Sequence, residues 1–96
     1  MSPSYRLARL ARSDLKEIGR YIAHDNPVAA ARFIDRIRDR CAMLARQPLI
    51  GEVRDELRDD LRSFSVGSHV IYYEVDQGRV TILRVLHGAR DVRKLL

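Results

Sequence analysis

Three short segments with alternating apolar and polar residues follow one another in the second half of the chain, at residues 61–66, 69–76 and 79–87. Only two residues separate each segment from the next, Gly67-Ser68 in the first gap and Gln77-Gly78 in the second. Glycine in a two-residue link permits the positive φ of a tight hairpin turn, so the pattern predicts three consecutive antiparallel strands. The rest of the chain has to pack around this small sheet.

The N-terminal part of the chain predicts a short strand and then a helix. Residues 5–9 alternate weakly, which favours a strand. Ser13 is a possible N-cap for the helix, although Lys16 stands where a capping box has Glu or Gln. Apolar residues recur at spacings of three and four, which is one stripe of an amphipathic helix: Ala11, Leu15, Ile18 and Ile22.

A second helix is predicted to begin at Asn26-Pro27, because Asn is a good N-cap and proline fits the first helical position. Gln47-Pro48 ends this helix, since the residue before proline avoids helical geometry. Two helices with so short a link form an antiparallel hairpin. Residues 48–60 are expected to form a loop. The apolar stripe of the second helix is Ala30, Ile34, Ile37, Cys41 and Leu44.

Side-chain alternation assigns the three strands to two faces, provided that both turns contain two residues. The more apolar face, which we assign to the helices, contains Arg62, Phe64, Val66, His69, Ile71, Tyr73, Val75, Val80, Ile82, Arg84 and Leu86. The other face contains Leu61, Ser63, Ser65, Val70, Tyr72, Glu74, Thr81, Leu83, Val85 and His87. An apolar strip with a polar rim on this second face is typical of a partner-binding surface. A one-residue bulge would reverse part of the assignment.

Length and composition indicate one small domain, residues 1–96, with no membrane partner. Hydrophobic residues at 46% and charged residues at 32% are ordinary for a folded soluble protein. No apolar run approaches the roughly 20 residues of a membrane span, and the first residues lack the apolar stretch of a signal peptide. Cys41 is the only cysteine, which fits a reducing compartment. We therefore expect a cytoplasmic protein.

The net charge of +5 predicts an acidic partner, either nucleic acid or an acidic protein segment. The chain has 16 Arg and 2 Lys, a ratio that a genome rich in G and C also explains, although it does not remove the net charge. The charge is uneven: residues 52–60 hold five acids and two Arg, whereas residues 79–96 hold five basic residues and one acid. The basic end is therefore the C-terminal one.

The last strand ends at a glycine that is surrounded by polar side chains, since His87, Arg90 and Asp91 lie within five residues. This motif, Arg84-Val-Leu-His87-Gly88-Ala-Arg90-Asp91, follows several others in a fixed order. They are Ala11-Arg-Ser-Asp14-Leu15-Lys-Glu-Ile18, Tyr21-Ile22-Ala23, Asn26-Pro27, Ala30-Ala31-Arg32-Phe33, Pro48 with Gly51, Leu61-Arg62, Val66-Gly67 and Val70-Ile71-Tyr72-Tyr73. Together they resemble the ParE branch of the RelE/ParE toxin superfamily over nearly the whole chain.

The resemblance implies a fold and a function. The fold is α+β, with an N-terminal strand and an antiparallel helix hairpin packed on a small, mainly antiparallel sheet and a short C-terminal tail or helix. ParE-type toxins bind DNA gyrase and stop it with its DNA cut, and a ParD-type antitoxin neutralises them. The resemblance also implies a toxin–antitoxin hetero-oligomer that binds operator DNA through the antitoxin, with no cofactor.

RelE-type relatives instead cut messenger RNA on the ribosome, which needs cations for the phosphorane charge and groups that move protons. On the resemblance, the two sheet lysines of such a site fall at Leu61 and Ser63. The sheet arginine falls at Val70, and the C-terminal tyrosine falls at Leu96. Only the arginine after the glycine is kept, as Arg90, so a ribonuclease is disfavoured. An inactive relative that only forms complexes is a third possibility.

Roles follow for individual residues. The antitoxin is expected on Val70, Tyr72, Leu83, Val85 and His87, and the gyrase target on Arg90, Arg93 and Lys94. His87 and Arg90 are the weak catalytic candidates, and the remaining histidines are interpreted as surface or capping residues. Arg84 is expected to form a structural ion pair with Asp14 or Glu17. No metal is predicted, because no pair of His, Cys or acidic residues has ligand spacing.

Overall fold

Two helices pack on one face of a five-stranded sheet in the computed structural model, which describes residues 4–96. The strand order is β1-β5-β4-β3-β2, with β1 parallel to β5 and every other pair antiparallel. The α+β class and the helix hairpin are therefore confirmed. The elements are β1 (Tyr5–Leu7), α1 (Arg9–Asp25), α2 (Pro27–Arg46), β2 (Glu52–Val53), β3 (Arg62–Val66), β4 (His69–Asp76), β5 (Arg79–His87) and a short 3-10 helix (Val92–Lys94).

The two helices begin in different ways. The Asn26 side chain accepts a hydrogen bond from the Ala29 amide at 3.0 Å, and Pro27 is the first residue of α2, as the sequence predicts. For α1 the sequence was misleading, because the helix begins at Arg9 with Ala8 as an N-cap that makes no side-chain hydrogen bond. The Ser13 N-cap prediction is wrong, since Ser13 lies inside the helix.

The strands at the two edges of the sheet are very short. Strand β1 ends at Leu7, two residues earlier than expected, because α1 starts at Arg9. Strand β2 lies in the segment expected to be a loop, and its two residues pair with Ser63 and Arg62 of β3. A two-residue strand leaves no alternation for sequence analysis to detect.

Both predicted hairpin turns are present, but β5 contains a bulge. Tyr73 pairs with Ile82 and Tyr72 with Arg84, which leaves Leu83 as an extra residue on β5. The residues after Leu83 therefore lie on the faces opposite to those that the sequence predicted. The assignments of Val85 and His87 to the outer face, and of Arg84 and Leu86 to the helix face, are wrong.

The main core lies between the sheet and the helix hairpin. It joins the predicted stripes of α1 and α2 to one face of β3, β4 and β5, and burying such apolar side chains contributes most of the stability of a small domain. No helix within residues 4–96 is long and apolar enough to cross a membrane. The buried members are Ala11, Leu15, Ile37, Cys41, Leu44, Val66, Ile71, Tyr73, Val80, Ile82 and Val85.

A second apolar cluster occupies the opposite face of the sheet. Leu61, Tyr72 and Leu86 are at most 3% exposed, with Val70 and Leu83 packed beside them. Leu57 and the C-terminal residues cover this cluster, namely Val92, Leu95 and Leu96. The expected open apolar strip on this face is therefore mostly covered by the chain itself.

Tyr73 fixes the turn after α2 from inside the core. Its hydroxyl donates to the Pro48 carbonyl at 2.8 Å and accepts from the Gly51 amide at 2.9 Å. Residue 51 has to be glycine, because a Cβ there would overlap the Tyr73 ring. Arg62 adds hydrogen bonds to the carbonyls of Leu49 and Gly51 at 3.2 and 2.9 Å. The turn is held by two side chains of the sheet.

Removing the Tyr73 hydroxyl should destabilise the fold. Tyr73→Phe leaves the buried Gly51 amide without its partner, so we expect the free energy of unfolding to fall by about 1–3 kcal/mol in urea titration. Tyr21→Phe is the matched control, since Tyr21 is 83% exposed and should change stability by less than about 0.5 kcal/mol. Equal stability of the two variants would contradict the role of the Tyr73 hydroxyl.

Candidate partner-binding groove

A groove of about 710 Å³ runs between the helix hairpin and the ends of β4 and β5. Its helical walls are apolar and come from Ile18, Tyr21, Ile22, Ala29 and Phe33. Ile18 and Ile22 belong to the predicted stripe of α1, and Ile18 and Phe33 also pack against the main core. Tyr21 is 83% exposed, which is unusual for a large aromatic side chain without a partner. We call this feature the hairpin groove.

The hairpin groove adjoins a second hollow along α2, which we include under the same name. The second hollow shares Ala29 and Phe33 with the first and extends to Val28, Arg32 and Arg36. Val28 is 60% exposed, so the extension adds apolar surface as well as two cations. Together the two hollows form an elongated apolar surface with a basic end.

Two histidines and a phenylalanine stack at the sheet end of the groove. The His69 ring centroid lies 5.2 Å from that of Phe33 and 5.2 Å from that of His87. Burial lowers the pKa of His69, and the nearby His87 lowers it further. His87 Nδ1 accepts a hydrogen bond from the Ala89 amide at 3.0 Å, so a neutral His87 carries its hydrogen on Nε2. The bulge creates this arrangement, because it turns His87 to the side of His69.

Asp14 and Arg84 form the expected ion pair at the base of the groove. Arg84 Nε lies 2.8 Å from Asp14 Oδ2 and Arg84 Nη2 lies 2.9 Å from Oδ1, a bidentate arrangement. The hydrogen bond to Asp14 raises the pKa of Arg84. Glu17, the other candidate, is exposed and lines the groove, and it makes no ion pair with Arg84 within residues 4–96.

The Asp14 carboxylate also binds a backbone amide on the β5 edge where no neighbouring strand pairs with it. Strand β1 pairs with β5 only as far as Leu7 and Ile82, so the β5 edge is open beyond that point. Asp14 Oδ2 accepts a hydrogen bond from the Val85 amide there at 3.0 Å. Arg84, which is paired with Asp14, also donates a hydrogen bond to the Leu95 carbonyl at 3.2 Å. This pair therefore connects α1, the edge of β5 and the C-terminal tail.

The residues to which the sequence assigned functions lie at three places in the structure: the hairpin groove, the 3-10 helix and the covered cluster. Arg90 lines the hairpin groove beside His87. Arg93 and Lys94 lie in the 3-10 helix and are exposed, with the Asp91 side chain capping it through the Arg93 amide at 3.2 Å. The five residues expected to bind one partner lie on two sides of the sheet: Val85 and His87 at the groove, and Val70, Tyr72 and Leu83 in the covered cluster.

Sequence reasoning did not find the hairpin groove itself. Tyr21 and Phe33 are in neither predicted apolar stripe, and the hollow between them depends on how the two helices pack on the sheet. The one signal in the sequence was the length of the apolar stripe of α1, which continues to Ile22. Within residues 4–96 no three His, Cys, Asp or Glu residues are arranged to hold a metal ion.

The RelE-type positions other than Arg90 lie on the covered face, away from the groove. Leu61 is 1% exposed and is part of the second apolar cluster, as is Leu96 beside it. Ser63 is 5% exposed and accepts a hydrogen bond from Arg54 at 3.2 Å. His87 and Arg90 thus have none of these residues near them in the groove.

Comparisons with known proteins agree over nearly the full length. The model of the ParE toxin family of type II toxin–antitoxin systems (parDE) matches residues 5–92. The chain is 37% identical to Toxin ParE1 of Caulobacter vibrioides over 90 residues, 93% of each chain. It is 33% identical to Toxin ParE1 of Mycobacterium tuberculosis over the whole of both chains, and 33% identical to Toxin RelE3 of C. vibrioides over 88% of this chain and 94% of that one.

Two solved structures are similar in fold. A chromosomal ParDE TA system from P. aeruginosa superposes with a TM-score of 0.75 at 20% identity, covering 90% of this chain and 96% of that one. The toxin–antitoxin complex RelBE2 from M. tuberculosis gives a TM-score of 0.57 at 27% identity, covering 91% and 99%. The fold therefore occurs in toxin–antitoxin structures.

Removing the Asp14 carboxylate should destabilise the fold strongly. Asp14→Ala leaves the Arg84 guanidinium and the Val85 amide without their partner, so we expect a loss of about 3–5 kcal/mol in the free energy of unfolding. In the control Arg58→Ala, which breaks the exposed pair of Arg58 with Glu74 at 3.6 Å, the loss should stay within about 1 kcal/mol. Denaturant titrations measure both, and Asp14→Ala/Arg84→Met should recover part of the loss. A mild effect of Asp14→Ala would show that the pair is not a structural anchor.

Proposed function

Because this chain belongs to the ParE toxin family of type II toxin–antitoxin systems, we propose that it inhibits DNA gyrase by binding and that a ParD-like antitoxin neutralises it. The family match over residues 5–92 carries the proposal. Gyrase acts on DNA in the cytoplasm, so the toxin would act there too. The cut in the DNA would be made by gyrase, and the toxin would hold the enzyme in that state.

The hairpin groove is the site that we propose for the antitoxin. It is elongated and apolar, it exposes Tyr21 and Val28, and it has cations at one end in Arg32 and Arg36. These properties fit a segment with an apolar face and acidic side chains, laid along the groove. Similar folds in the ParDE and RelBE2 systems support an antitoxin as the partner. The proposal keeps Val85 and His87, which line the groove, and leaves out Val70, Tyr72 and Leu83, which lie in the covered cluster.

The residues around His87 support binding rather than catalysis. Cleavage at a 2′-hydroxyl needs several groups that move protons and stabilise charge. The groove is lined by Glu17, His69, His87 and Arg90, and the RelE-type positions on the covered face hold Leu61, Ser63 and Val70. The RelE-type positions therefore contribute one cation, Arg90, which does not supply that set of groups.

The tail from Arg90 is the surface that we propose for the target. Arg90, Arg93 and Lys94 are exposed, and the 3-10 helix presents the last two on a segment anchored by Leu95 and Leu96. The anchoring positions the backbone that carries Arg93 and Lys94. A target with acidic groups, protein or DNA, would complement them.

Gyrase inhibition should depend on the tail. Wild-type toxin should block supercoiling and trap cleaved DNA in a purified gyrase assay, and antitoxin should reverse both effects. Arg90→Ala/Arg93→Ala should need at least about tenfold more toxin for the same effect, which is about 1.4 kcal/mol of lost binding. The control Arg38→Ala/Arg46→Ala removes two exposed cations from α2 and should act like wild type.

Two results of this assay would contradict the proposal. Undiminished inhibition by the tail variant, with its fold intact by circular dichroism, would rule out the tail as the target surface. Gyrase that is untouched by wild-type toxin would overturn the target itself. Messenger RNA cleavage that His87→Ala abolishes would then identify a ribonuclease.

Antitoxin affinity should depend on Tyr21. An exposed aromatic side chain in a groove is a typical hot spot, so Tyr21→Ala should weaken binding of the purified antitoxin at least about tenfold in calorimetric titration. Leu49→Ala is the matched control, because Leu49 is 70% exposed but lies on the turn after α2, outside the groove. If Leu49→Ala weakened binding as much as Tyr21→Ala, the antitoxin would bind elsewhere.

A further inference from the structure

Four cations form a row on the solvent face of α1: Arg9, Arg12, Lys16 and Arg20. They are separated by three, four and four residues, so they fall within an arc of about 80° and extend about 16 Å along the helix. All four are exposed, and within residues 4–96 none of them is in an ion pair. We call these four residues the α1 basic row.

The α1 basic row is unfavourable for the helix that carries it. The first turn of α1 has no acidic residue, so Arg9 and Arg12 lie at the positive end of the helix dipole without compensation. Neighbouring cations three or four positions apart also repel each other. The Asp14 carboxylate does not offset the row, because it faces Arg84 and Val85. Glu17 lies three residues before Arg20 but forms no ion pair with it within residues 4–96. A bound polyanion would neutralise the row.

The composition of this face favours nucleic acid over a protein. Protein interfaces depend on buried aromatic or aliphatic anchors at their centre. Within its arc the row carries no large apolar side chain. The large apolar residues of α1 lie in the core or the hairpin groove, except Leu10, which is 49% exposed but lies outside the arc of the row. Duplex DNA offers about one negative charge per 1.7 Å of helix axis, so several phosphates lie within reach of a row of this length.

We propose that the α1 basic row binds the phosphate backbone of duplex DNA without reading its sequence. Long cationic side chains on one helix face contact phosphates, which position a protein on DNA and carry no base information. The row lies on the solvent side of α1 and the hairpin groove on the flank that holds Tyr21, so the two surfaces are separate. The proposal concerns the folded chain itself and does not require gyrase to be the target.

The test is binding of the purified full-length toxin to a fluorescent duplex of about 20 base pairs, with anisotropy followed over about 50 to 200 mM salt. Replacing all four cations of the row with Gln should weaken binding at least about tenfold at the lowest salt and reduce the slope of log affinity against log salt by about 3 to 4. The thermal midpoint of this variant should equal or exceed that of wild type, because the repulsion is gone and Gln favours helices.

The matched control removes the same charge from scattered exposed positions, namely Arg38, Arg46, Arg58 and Arg79 changed to Gln. It should keep most of the affinity and the wild-type salt slope. No binding by wild type at the lowest salt, or equal losses in both variants, would overturn the proposal. Tighter binding to single-stranded RNA of the same length would reject duplex DNA as the ligand. A row variant that keeps DNA affinity but loses antitoxin would assign the row to an acidic protein.

Discussion

The carboxylate of Asp14 is the contact on which the arrangement of this protein depends. One residue of α1 accepts two hydrogen bonds from Arg84 and one from the Val85 amide, and Arg84 in turn holds the carbonyl of Leu95. The helix hairpin, the open edge of β5 and the C-terminal tail thus share a single buried ion pair. The hairpin groove and the tail surface are both built around it, so their relative position follows from the geometry of this pair.

Features that depend on neighbouring residues could be read from the sequence. The Asn26 cap, the Pro27 helix start and the two hairpin turns each follow from the chemistry of two or three adjacent residues. The Arg84–Asp14 pair was also expected, although 70 residues separate its members, because a largely buried arginine needs an acid. The pair is present even though the bulge changes the face of β5 to which Arg84 was assigned.

Features that depend on register or on distant packing could not be predicted in this way. The bulge at Leu83 has no sequence marker such as glycine, so alternation continued past it and placed Val85 and His87 on the wrong face. The second apolar cluster looked open, because sequence patterns do not show that Leu95 and Leu96 fold back over Leu61 and Tyr72. The hairpin groove was missed for the same reason, since it exists only where two helices extend past the end of a sheet.

The extra residue in β5 also determines how this chain should be compared with its relatives. A relative that lacks one residue near position 83 would keep a strand of the same composition but present the side chains corresponding to Val85 and His87 to the opposite side. A sequence alignment of this strand without a gap would then pair residues that contact different partners. Substitutions at positions 84–87 are informative about partner choice only among chains that share the same number of residues between the second hairpin turn and Gly88.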